Sequence, residues 1–248
     1  MRTPIAVFIC AGLSMYGAAN AACRNETKDD LQFVVCAFEP SKEGIRLFLN
    51  DENGKPFGDF GPVAAALGAH GETLSFAMNA GMYHKDRSPV GLYVENGEER
   101  KKISTRDGPG NFHLKPNGVF WMDGAGGAHV TETDDFPDAA HEDVAYATQS
   151  GPMLVIKNKL HPRFLVEATS RKRRNGVGVT EDGTVVFALS DTPVTFHEFA
   201  TYFRDELKTP NALYLDGTIS RLFAPELDRN DPGVAMGPIV GVVVGKEP

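Results

Sequence analysis

The stretch Asn211-Ala212-Leu213-Tyr214-Leu215-Asp216-Gly217-Thr218-Ile219-Ser220 joins an apolar run to a carboxylate, a glycine and two hydroxyl groups. Its apolar residues predict a buried β-strand that ends at Asp216. A buried carboxylate needs a ligand, a metal ion or hydrogen-bond donors, because an isolated charge is costly to remove from water. Gly217 lets the chain turn sharply and lets a ligand come close to the backbone. This stretch alone leaves two interpretations open, an ordinary strand-end turn and a functional site.

The segment before this strand has the pattern of an amphipathic helix. Between Phe196 and Leu207, apolar residues recur at helical spacing and fall on one face. Thr195 and Glu198 have the spacing of a capping box, which marks the first turn of a helix. The sequence therefore predicts a helix whose apolar face packs on a sheet.

A β-type run, Val185 to Leu189, precedes this helix and completes the pattern of a β-α-β unit. In such a unit, Asp191 and Asp216 lie just beyond the carboxyl ends of the two strands. Ligands bind in the crevice beyond such strand ends. The unit is therefore expected to bring both carboxylates to one candidate site.

The rest of the chain is rich in short β-type runs separated by Gly, Pro and Asn. A second, shorter helix is predicted over Pro62 to Leu67. Because no linker or repeat divides the sequence, we predict one domain over residues 22–248, of the α+β or mixed α/β class, with a strand-dominated mixed sheet and few packing helices. The further predicted strands are Leu31 to Phe38, Ile45 to Leu49, Leu74 to Met78, Gly91 to Glu95, Gly118 to Met122, Ala145 to Gln149, Met153 to Ile156, Val177 to Thr180 and Ile239 to Val244.

Residues 1–21 have the pattern of a secretory signal peptide. Arg2 precedes an apolar run that is too short to span a bilayer, and Ala19-Asn20-Ala21 is a small-residue cleavage site. The mature chain is expected to begin at Ala22 and to be periplasmic or secreted. Lipidation at Cys23 is a weaker alternative, because Asn20 stands where such signals have an aliphatic residue.

The formal net charge of the chain is -8 at pH 7, and cleavage of the signal peptide makes it more negative because Arg2 is lost. An acidic exported protein is not expected to bind nucleic acid or an anionic membrane by charge alone. After signal removal we also expect no stable membrane insertion.

The mature chain keeps two of the cysteines, Cys23 and Cys36, because Cys10 leaves with the signal peptide. Two cysteines in an oxidising compartment predict one disulfide. Two free thiols are the alternative.

A set of short stretches repeats one pattern, in which a small polar residue is followed closely by Gly. Any one of them alone is an ordinary turn. Together they predict a crevice lined by short polar side chains and by backbone N–H groups that Gly leaves open, which suits a polyol and an anion. The stretches are Asn79-Ala80-Gly81, Lys115-Pro116-Asn117-Gly118, Ser150-Gly151-Pro152, Arg174-Asn175-Gly176 and Asp216-Gly217.

In this order, the stretches resemble motifs of the phosphodiester glycosidase family, which includes the lysosomal uncovering enzyme and many exported bacterial proteins. The matching elements are Asn79-Ala80-Gly81-Met82-Tyr83, Ser150-Gly151-Pro152-Met153-Leu154, Arg174 with Val177 and Gly178, Ser190-Asp191, and Leu215-Asp216-Gly217. The chain departs from the family pattern at Asn175, after Asp191, and in Gly217-Thr218-Ile219-Ser220, where bulkier residues replace Thr or Gly. The stretch Gly110 to Gly118 resembles a feature of a bacterial branch only.

The resemblance implies a hydrolase that cleaves the C1–O bond of a sugar 1-phosphodiester, with a carbohydrate or phosphoglycan as substrate. Asp216 is then the expected nucleophile or base and Asp191 the second catalytic carboxylate. A divalent cation shared by these two carboxylates is an open option, and no other cofactor is implied. The remaining expected roles are phosphate binding by Arg174 and Lys115, hydrogen bonds to substrate oxygens from Asn79, Ser150 and Asn175, and lining of the crevice by Gly81, Asn117, Gly151, Gly217, Thr218 and Ser220.

A non-catalytic envelope protein that binds a glycan or phosphoglycan in the same crevice is the alternative. Binding needs hydroxyl and amide donors but does not need both Asp191 and Asp216, so the pair of carboxylates favours the enzyme. A phosphodiesterase that cuts the P–O bond would need a metal ion or a clear nucleophile and base. The sequence shows neither pattern.

Overall fold

The strands of the described residues, 22–140, 143–217 and 219–245, form three sheets in this computed structural model. The predicted signal peptide, residues 1–21, and the predicted site residue Thr218 lie outside the described residues. In chain order the strands are β1 (Cys23–Lys28), β2 (Leu31–Phe38), β3 (Gly44–Phe48), β4 (Thr73–Asn79), β5 (Tyr93–Glu95), β6 (Glu98–Lys101), β7 (Gly118–Asp123), β8 (Ala128–Glu132), β9 (Val144–Ser150), β10 (Met153–Ile156), β11 (Lys159–Leu160), β12 (Asn175–Val179), β13 (Val185–Ser190), β14 (Asn211–Asp216), β15 (Leu222–Ala224), β16 (Arg229–Asn230) and β17 (Ile239–Val244).

Helices are few, as predicted. They are α1 (Phe60–Ala69), α2 (Phe136–Ala140) and α3 (Phe196–Thr201), with short 3-10 turns at Asn111–His113 and Pro225–Leu227. The helix predicted from Phe196 to Leu207 is α-helical only to Thr201 and continues as a π-helical segment, Tyr202–Glu206. The strand-dominated, single-domain fold class is confirmed.

The seven-stranded sheet has the order β1-β2-β13-β12-β14-β10-β11 and contains the predicted crossover. Strands β13 and β14 run parallel to each other, but β12 lies between them and pairs antiparallel with both. Asn175 at the start of β12 pairs with Leu189 on one side and with Asp216 on the other. The carboxyl ends of β13 and β14 therefore reach the same edge of the sheet.

Strand β14 carries a bulge at this edge. Asn175 pairs with Asp216 but Gly176 pairs with Tyr214, so Leu215 is the extra residue. Bulges disrupt the hydrogen-bond ladder locally and re-aim the side chains beside them. The carbonyl of Leu215 accepts a hydrogen bond from Ser150 Oγ instead, at 3.0 Å.

The other sheets have the orders β16-β15-β4-β17-β3 and β6-β5-β9-β7-β8, and all three sheets share one core. Phe76 of β4 contacts Phe38 and Phe187 of the seven-stranded sheet, with ring centroids 5.0 Å apart in each pair, and Phe120 of β7 contacts Phe187 at 5.9 Å. Such aromatic contacts add to the free energy gained by burying the rings. The shared core makes the described chain one folding unit.

Helix α3 covers the opposite face of the seven-stranded sheet. The predicted capping box is present, because Thr195 Oγ1 accepts from Glu198 N and a Glu198 carboxylate oxygen accepts from Thr195 N. Phe199 and Phe203 are fully buried and pack with the sheet residues Phe33 and Leu154. The helix that connects β13 to β14 is thus held by apolar burial, worth about 1.5–3 kcal/mol for each large side chain.

The predicted disulfide is confirmed by a bond between Cys23 and Cys36, which face each other across β1 and β2. Both residues are buried in the shared core. On the loop-entropy model this link contributes about 3 kcal/mol to the free energy of unfolding. No helix within the described ranges is both long and apolar enough to cross a membrane.

Candidate active site

Asp216 lies at the end of β14, half-buried, at the edge where several strands end. Its Oδ1 accepts a hydrogen bond from Gly217 N at 2.6 Å, so the chain turns around the carboxylate. The charge of Asp216 acts on two tyrosines, Tyr214 and Tyr83. Burial raises the pKa of both phenols, and the negative charge of Asp216 raises it further. Both hydroxyls therefore stay protonated at neutral pH beside this carboxylate.

Gly217 is required by the tight packing around the Tyr214 hydroxyl. A Cβ atom at position 217 would overlap the Tyr214 Oη and would lie 3.3 Å from the carbonyl oxygen of Arg173. The side chain of Asn111 also acts on the Tyr214 phenol and lowers its pKa. Tyr214 and Gly217 are therefore in close contact next to Asp216.

Arg174 is buried, with 2% of its surface exposed, beside the same hydroxyl. Its guanidinium carbon lies 3.7 Å from the centroid of the Phe196 ring. Nε donates to the Val194 carbonyl at 3.0 Å, Nη2 to the Ser170 carbonyl at 3.2 Å and Nη1 to Tyr214 Oη at 3.5 Å. Burial lowers the pKa of this arginine, while Tyr214 opposes that shift.

Within the described part of the chain, Arg174 forms no ion pair with a carboxylate. An arginine has five N–H donors, and the three bonds above leave one on Nη1 and one on Nη2. A buried cation without a countercharge is costly unless an anion joins it. The arrangement next to Asp216 can therefore take up an anionic group through two N–H donors.

Asn79 and Asn175 are fully buried and bind each other. Asn79 Nδ2 donates to Asn175 Oδ1 at 3.3 Å, and Asn175 Nδ2 donates to the Asn79 carbonyl at 3.1 Å. Asn175 Oδ1 also accepts from Asp216 N at 2.9 Å, and Asn79 Oδ1 accepts from Arg221 N at 3.0 Å. The two amides that were expected to contact substrate instead hold the backbone of Asp216 and Arg221 in place.

The hydroxyls of Ser150 and Ser220 serve the same framework. Ser150 Oγ donates to the Leu215 carbonyl and Ser220 Oγ donates to the Asp216 carbonyl at 3.1 Å. Both hydrogen bonds restrain the turn around Asp216. The structure thus brings Asn79, Ser150, Asn175, Gly217 and Ser220 together around Asp216, although the side chains among them bind protein groups.

A sequence comparison identifies the family. Residues 72–243 match the phosphodiester glycosidase family. The chain belongs to this family. A relative, the uncharacterized protein YigE of Escherichia coli (strain K12), is 35% identical over 184 residues, which cover 74% of this chain and 71% of the relative.

Solved structures share the phosphodiester glycosidase fold. The catalytic domain of zebrafish N-acetylglucosamine-1-phosphodiester alpha-N-acetylglucosaminidase, auto-inhibited by its pro-peptide, aligns with a TM-score of 0.61 and 12% identity. That alignment covers 91% of this chain and 82% of the zebrafish chain. A hypothetical protein from Synechocystis aligns with a TM-score of 0.52 and 14% identity, over 90% of this chain and 61% of its own.

Asp191, the other predicted catalytic carboxylate of this chain, lies in an ion-pair cluster. Arg229 binds it through Nη1 at 2.7 Å and Nη2 at 2.8 Å, and Arg173 Nη2 donates to it at 2.9 Å. Arg229 also pairs with Asp231. Burial raises the pKa of Asp191, but the hydrogen bonds and charges of Arg229 and Arg173 outweigh it and hold that pKa below its ordinary value. Both oxygens of Asp191 therefore accept hydrogen bonds from guanidinium groups, which link Arg173 and strand β16 at this place.

A divalent cation shared by Asp191 and Asp216 does not match this arrangement. Arg173 and Arg229 place two positive charges on the Asp191 carboxylate, and they would repel a cation. The described residues also gather no group of three or more His, Cys, Asp or Glu side chains that could hold a metal ion. The charges around Asp191 therefore disfavour a metal ion between these two residues.

The loop residues that were predicted to line the crevice contact other protein groups. Lys115 Nζ donates to the Thr105 carbonyl at 2.8 Å and pairs with Asp107 at 2.9 Å, so its charge is already used. Asn117 Nδ2 donates to the Phe112 carbonyl at 2.9 Å. A Cβ atom on Gly151 would lie 2.6 Å from the Cβ of Asn117. Lys115, expected to bind phosphate, is thus a support of the loop that carries Asn111.

Gly81 has a φ of +145° and packs against Thr148. Sequence reasoning missed Tyr83, Tyr214 and Asn111 as residues around Asp216. A signal for Asn111 existed, because it lies in the Gly110 to Gly118 stretch that was singled out without a role. Tyr214 gave no signal, since a tyrosine in an apolar strand is typical of a core.

Proposed function

We propose that the mature chain is an exported glycosidase that hydrolyses the bond between C1 of a sugar and the oxygen of a phosphodiester. One observation carries this proposal: the buried, uncompensated guanidinium of Arg174 and the carboxylate of Asp216 flank the same Tyr214 hydroxyl. A phosphate anion needs a positively charged partner, and the positive charge that develops at C1 needs a negatively charged one close by. Family membership supports a glycosidase, and the zebrafish relative is by name a phosphodiester α-N-acetylglucosaminidase.

In the proposed reaction Arg174 binds the phosphate and Asp216 acts at C1, as nucleophile or as base for water. The C1–O bond breaks, and the phosphate monoester leaves with the electron pair. Water supplies the oxygen that appears on C1 and the proton that is released. Because a phosphate monoester leaves readily, the site stabilises the oxocarbenium-like transition state and the anion rather than protonating an alcohol.

The Tyr214 hydroxyl accepts from Arg174, so its own proton points away from that bond and can be donated. Its raised pKa keeps this proton in place at neutral pH. We assign Tyr214 the role of a neutral donor to a substrate oxygen, held between the cation and the carboxylate.

A non-catalytic glycan or phosphoglycan binder remains the second candidate, and one observation favours it. Asp191 is bound by two arginines, so one of the two predicted catalytic carboxylates is engaged in ion pairs. Binding would use the same Arg174 and Tyr214 and would need no chemistry at Asp216.

The deciding experiment uses a panel of sugar 1-(methyl phosphodiesters) in water enriched with ¹⁸O. The proposal expects free sugar with ¹⁸O on C1 and unlabelled methyl phosphate. Label in the phosphate would show P–O cleavage and overturn the proposed bond. Saturable binding without turnover across the panel would establish the second candidate instead. Export has its own measurement: the intact mass of the protein recovered outside the cytoplasm is expected to begin at Ala22.

A further inference from the structure

A groove of about 470 Å³ lies beside the crevice and is lined by basic residues. Lys101, Lys102 and Arg106 contribute full positive charges, and His84 and His113 add imidazoles. The acidic residue in its lining, Asp107, is paired with Lys115.

These cations stand out against the rest of the molecule. The whole chain is acidic, with a formal net charge of -8, yet this groove gathers positive charge. Among the described residues, the ion pairs do not include Lys101, Lys102 or Arg106, although neighbouring Arg100 pairs with Glu98. All three side chains are exposed. Unneutralised charges of one sign along a groove favour a ligand of the opposite sign.

Two segments connect the groove to the crevice. In the first, the charge of Asp216 raises the pKa of Tyr83, and the next residue, His84, lines the groove. In the second, the 3-10 turn Asn111–His113 packs against Gly151, next to Ser150, which donates to the Leu215 carbonyl, and the same turn lines the groove through His113. His113 Nδ1 lies 3.0 Å from the Arg106 carbonyl oxygen, which ties the turn to the basic segment. A ligand that leaves the crevice between these segments therefore enters the groove.

We propose that this groove binds the anionic continuation of the phosphate-linked aglycone, so that the substrate class is a polyanionic phosphodiester chain that carries a terminal sugar. This inference rests on the proposed function. It gives the Gly110 to Gly118 stretch a role, namely to hold the crevice wall and the groove in one piece. It also explains why an acidic protein concentrates free cations at this place.

The lining favours a polyol phosphate polymer over a nucleic acid. Single-stranded nucleic acids are held by aromatic side chains on which bases stack, in addition to a basic channel. The groove has no Phe, Tyr or Trp in its lining, and its apolar part consists of Val90, Ile103 and Pro109. A chain of alternating small polyols and phosphates needs charge but no stacking platform.

The test compares two substrates that carry the same sugar 1-phosphate. The short one ends in a methyl group, and the long one continues into four glycerol phosphate units. In the triple variant K101Q/K102Q/R106Q we expect the ratio of kcat/KM, long over short, to fall about tenfold, because exposed ion contacts are individually weak and add up. The matched control K42Q/K55Q/K159Q removes three charges outside the groove, and its ratio should stay within about twofold of wild type. Salt should lower the wild-type ratio and leave the variant's ratio unchanged.

A second measurement does not depend on activity. By calorimetry, we expect the wild type and the control variant to bind free tetra(glycerol phosphate). The affinity of the triple variant for this ligand is expected to be strongly reduced. Equal binding by all three, or an equal substrate ratio, would overturn the groove assignment. Absence of turnover with either substrate would overturn the proposed function, while the calorimetric arm still decides on the groove. Tighter binding of an oligonucleotide of the same charge would overturn the assignment to a polyol phosphate polymer.

Discussion

The ends of β13 and β14 occupy equivalent places in the crossover, and each presents one aspartate. Asp191 beyond β13 forms ion pairs with Arg173 and with Arg229 of β16. Asp216 at the end of β14 accepts a hydrogen bond from Gly217 N, and its charge raises the pKa of Tyr83 and Tyr214. The comparison teaches that two carboxylates at equivalent strand ends can have opposite electrostatic surroundings, because the neighbouring charges differ.

The largest expected effect is that of Asp216→Asn. The amide keeps the shape and can still accept from Gly217 N, so the fold should be retained while the negative charge is lost. We expect kcat/KM to fall about a thousandfold or more on a substrate that the wild type cleaves. Turnover kinetics and a thermal unfolding midpoint measured on the same preparation check this. An unchanged rate would remove Asp216 from the chemistry, and a misfolded variant would make it a structural residue like Asp191.

Arg174→Lys tests whether the buried guanidinium grips an anion in two places. A lysine supplies a point charge and cannot reproduce the fork. Loss of one charged hydrogen bond costs about 1.5–3 kcal/mol, which is roughly tenfold to a hundredfold in kcat/KM. The control is Arg171→Lys, since Arg171 is exposed and pairs with Glu198 on the surface. Equal losses at both positions would indicate a diffuse basic surface instead of a defined phosphate site.

Gly217→Ala tests the packing at the active end of β14. The added methyl group would overlap the Tyr214 hydroxyl, so either the strand end or the ring must move. Such overpacking costs about 1–3 kcal/mol in the free energy of unfolding. Removing the hydroxyl should relieve it: in a Tyr214→Phe background the same substitution is expected to cost clearly less. Denaturant unfolding of the four proteins measures this difference, and additive costs would contradict the contact.

Asp191→Asn tests the other strand end, where stability rather than rate should respond. We expect a loss of about 1–2 kcal/mol in the free energy of unfolding, reduced by solvent because the side chain is partly exposed. The rate per folded molecule should fall far less than in Asp216→Asn. If both asparagine variants lost activity equally, the distinction between the two strand ends would be wrong.

The same ion cluster makes a pH prediction. Because the pKa of Asp191 is depressed in the folded state, its contribution to stability is complete above the ordinary carboxyl pKa of 3.8 and is lost as pH falls through the lower folded value. The difference in unfolding free energy between wild type and Asp191→Asn should therefore be constant from pH 7 to about pH 5 and shrink below about pH 4. A difference that persisted at low pH would mean that packing, not charge, holds this cluster.

Several strands and residues could not be predicted because their sequence is polar. Strand β1, Cys-Arg-Asn-Glu-Thr-Lys, alternates too few apolar residues to predict a strand, and it forms because it pairs with β2 at the sheet edge. Strand β6 consists of charged, exposed residues and depends in the same way on β5. The apolar strands, such as β2, β10 and β17, matched their predicted limits, because burial dictates their residues.

From the sequence alone came the strand-rich class, the amphipathic helix with its capping box, the disulfide partners and the placement of Asp191 and Asp216 at one sheet edge. These follow from local periodicity and from the fixed handedness of a crossover, which short stretches of chain determine. Only the tertiary structure decided which aspartate is neutralised, because Arg229 lies 38 residues from Asp191 along the chain. It also turned Asn79 and Asn175, 96 residues apart, into a mutual pair instead of substrate ligands. Electrostatic environment and hydrogen-bond satisfaction depend on neighbours in space, and folding chooses those neighbours.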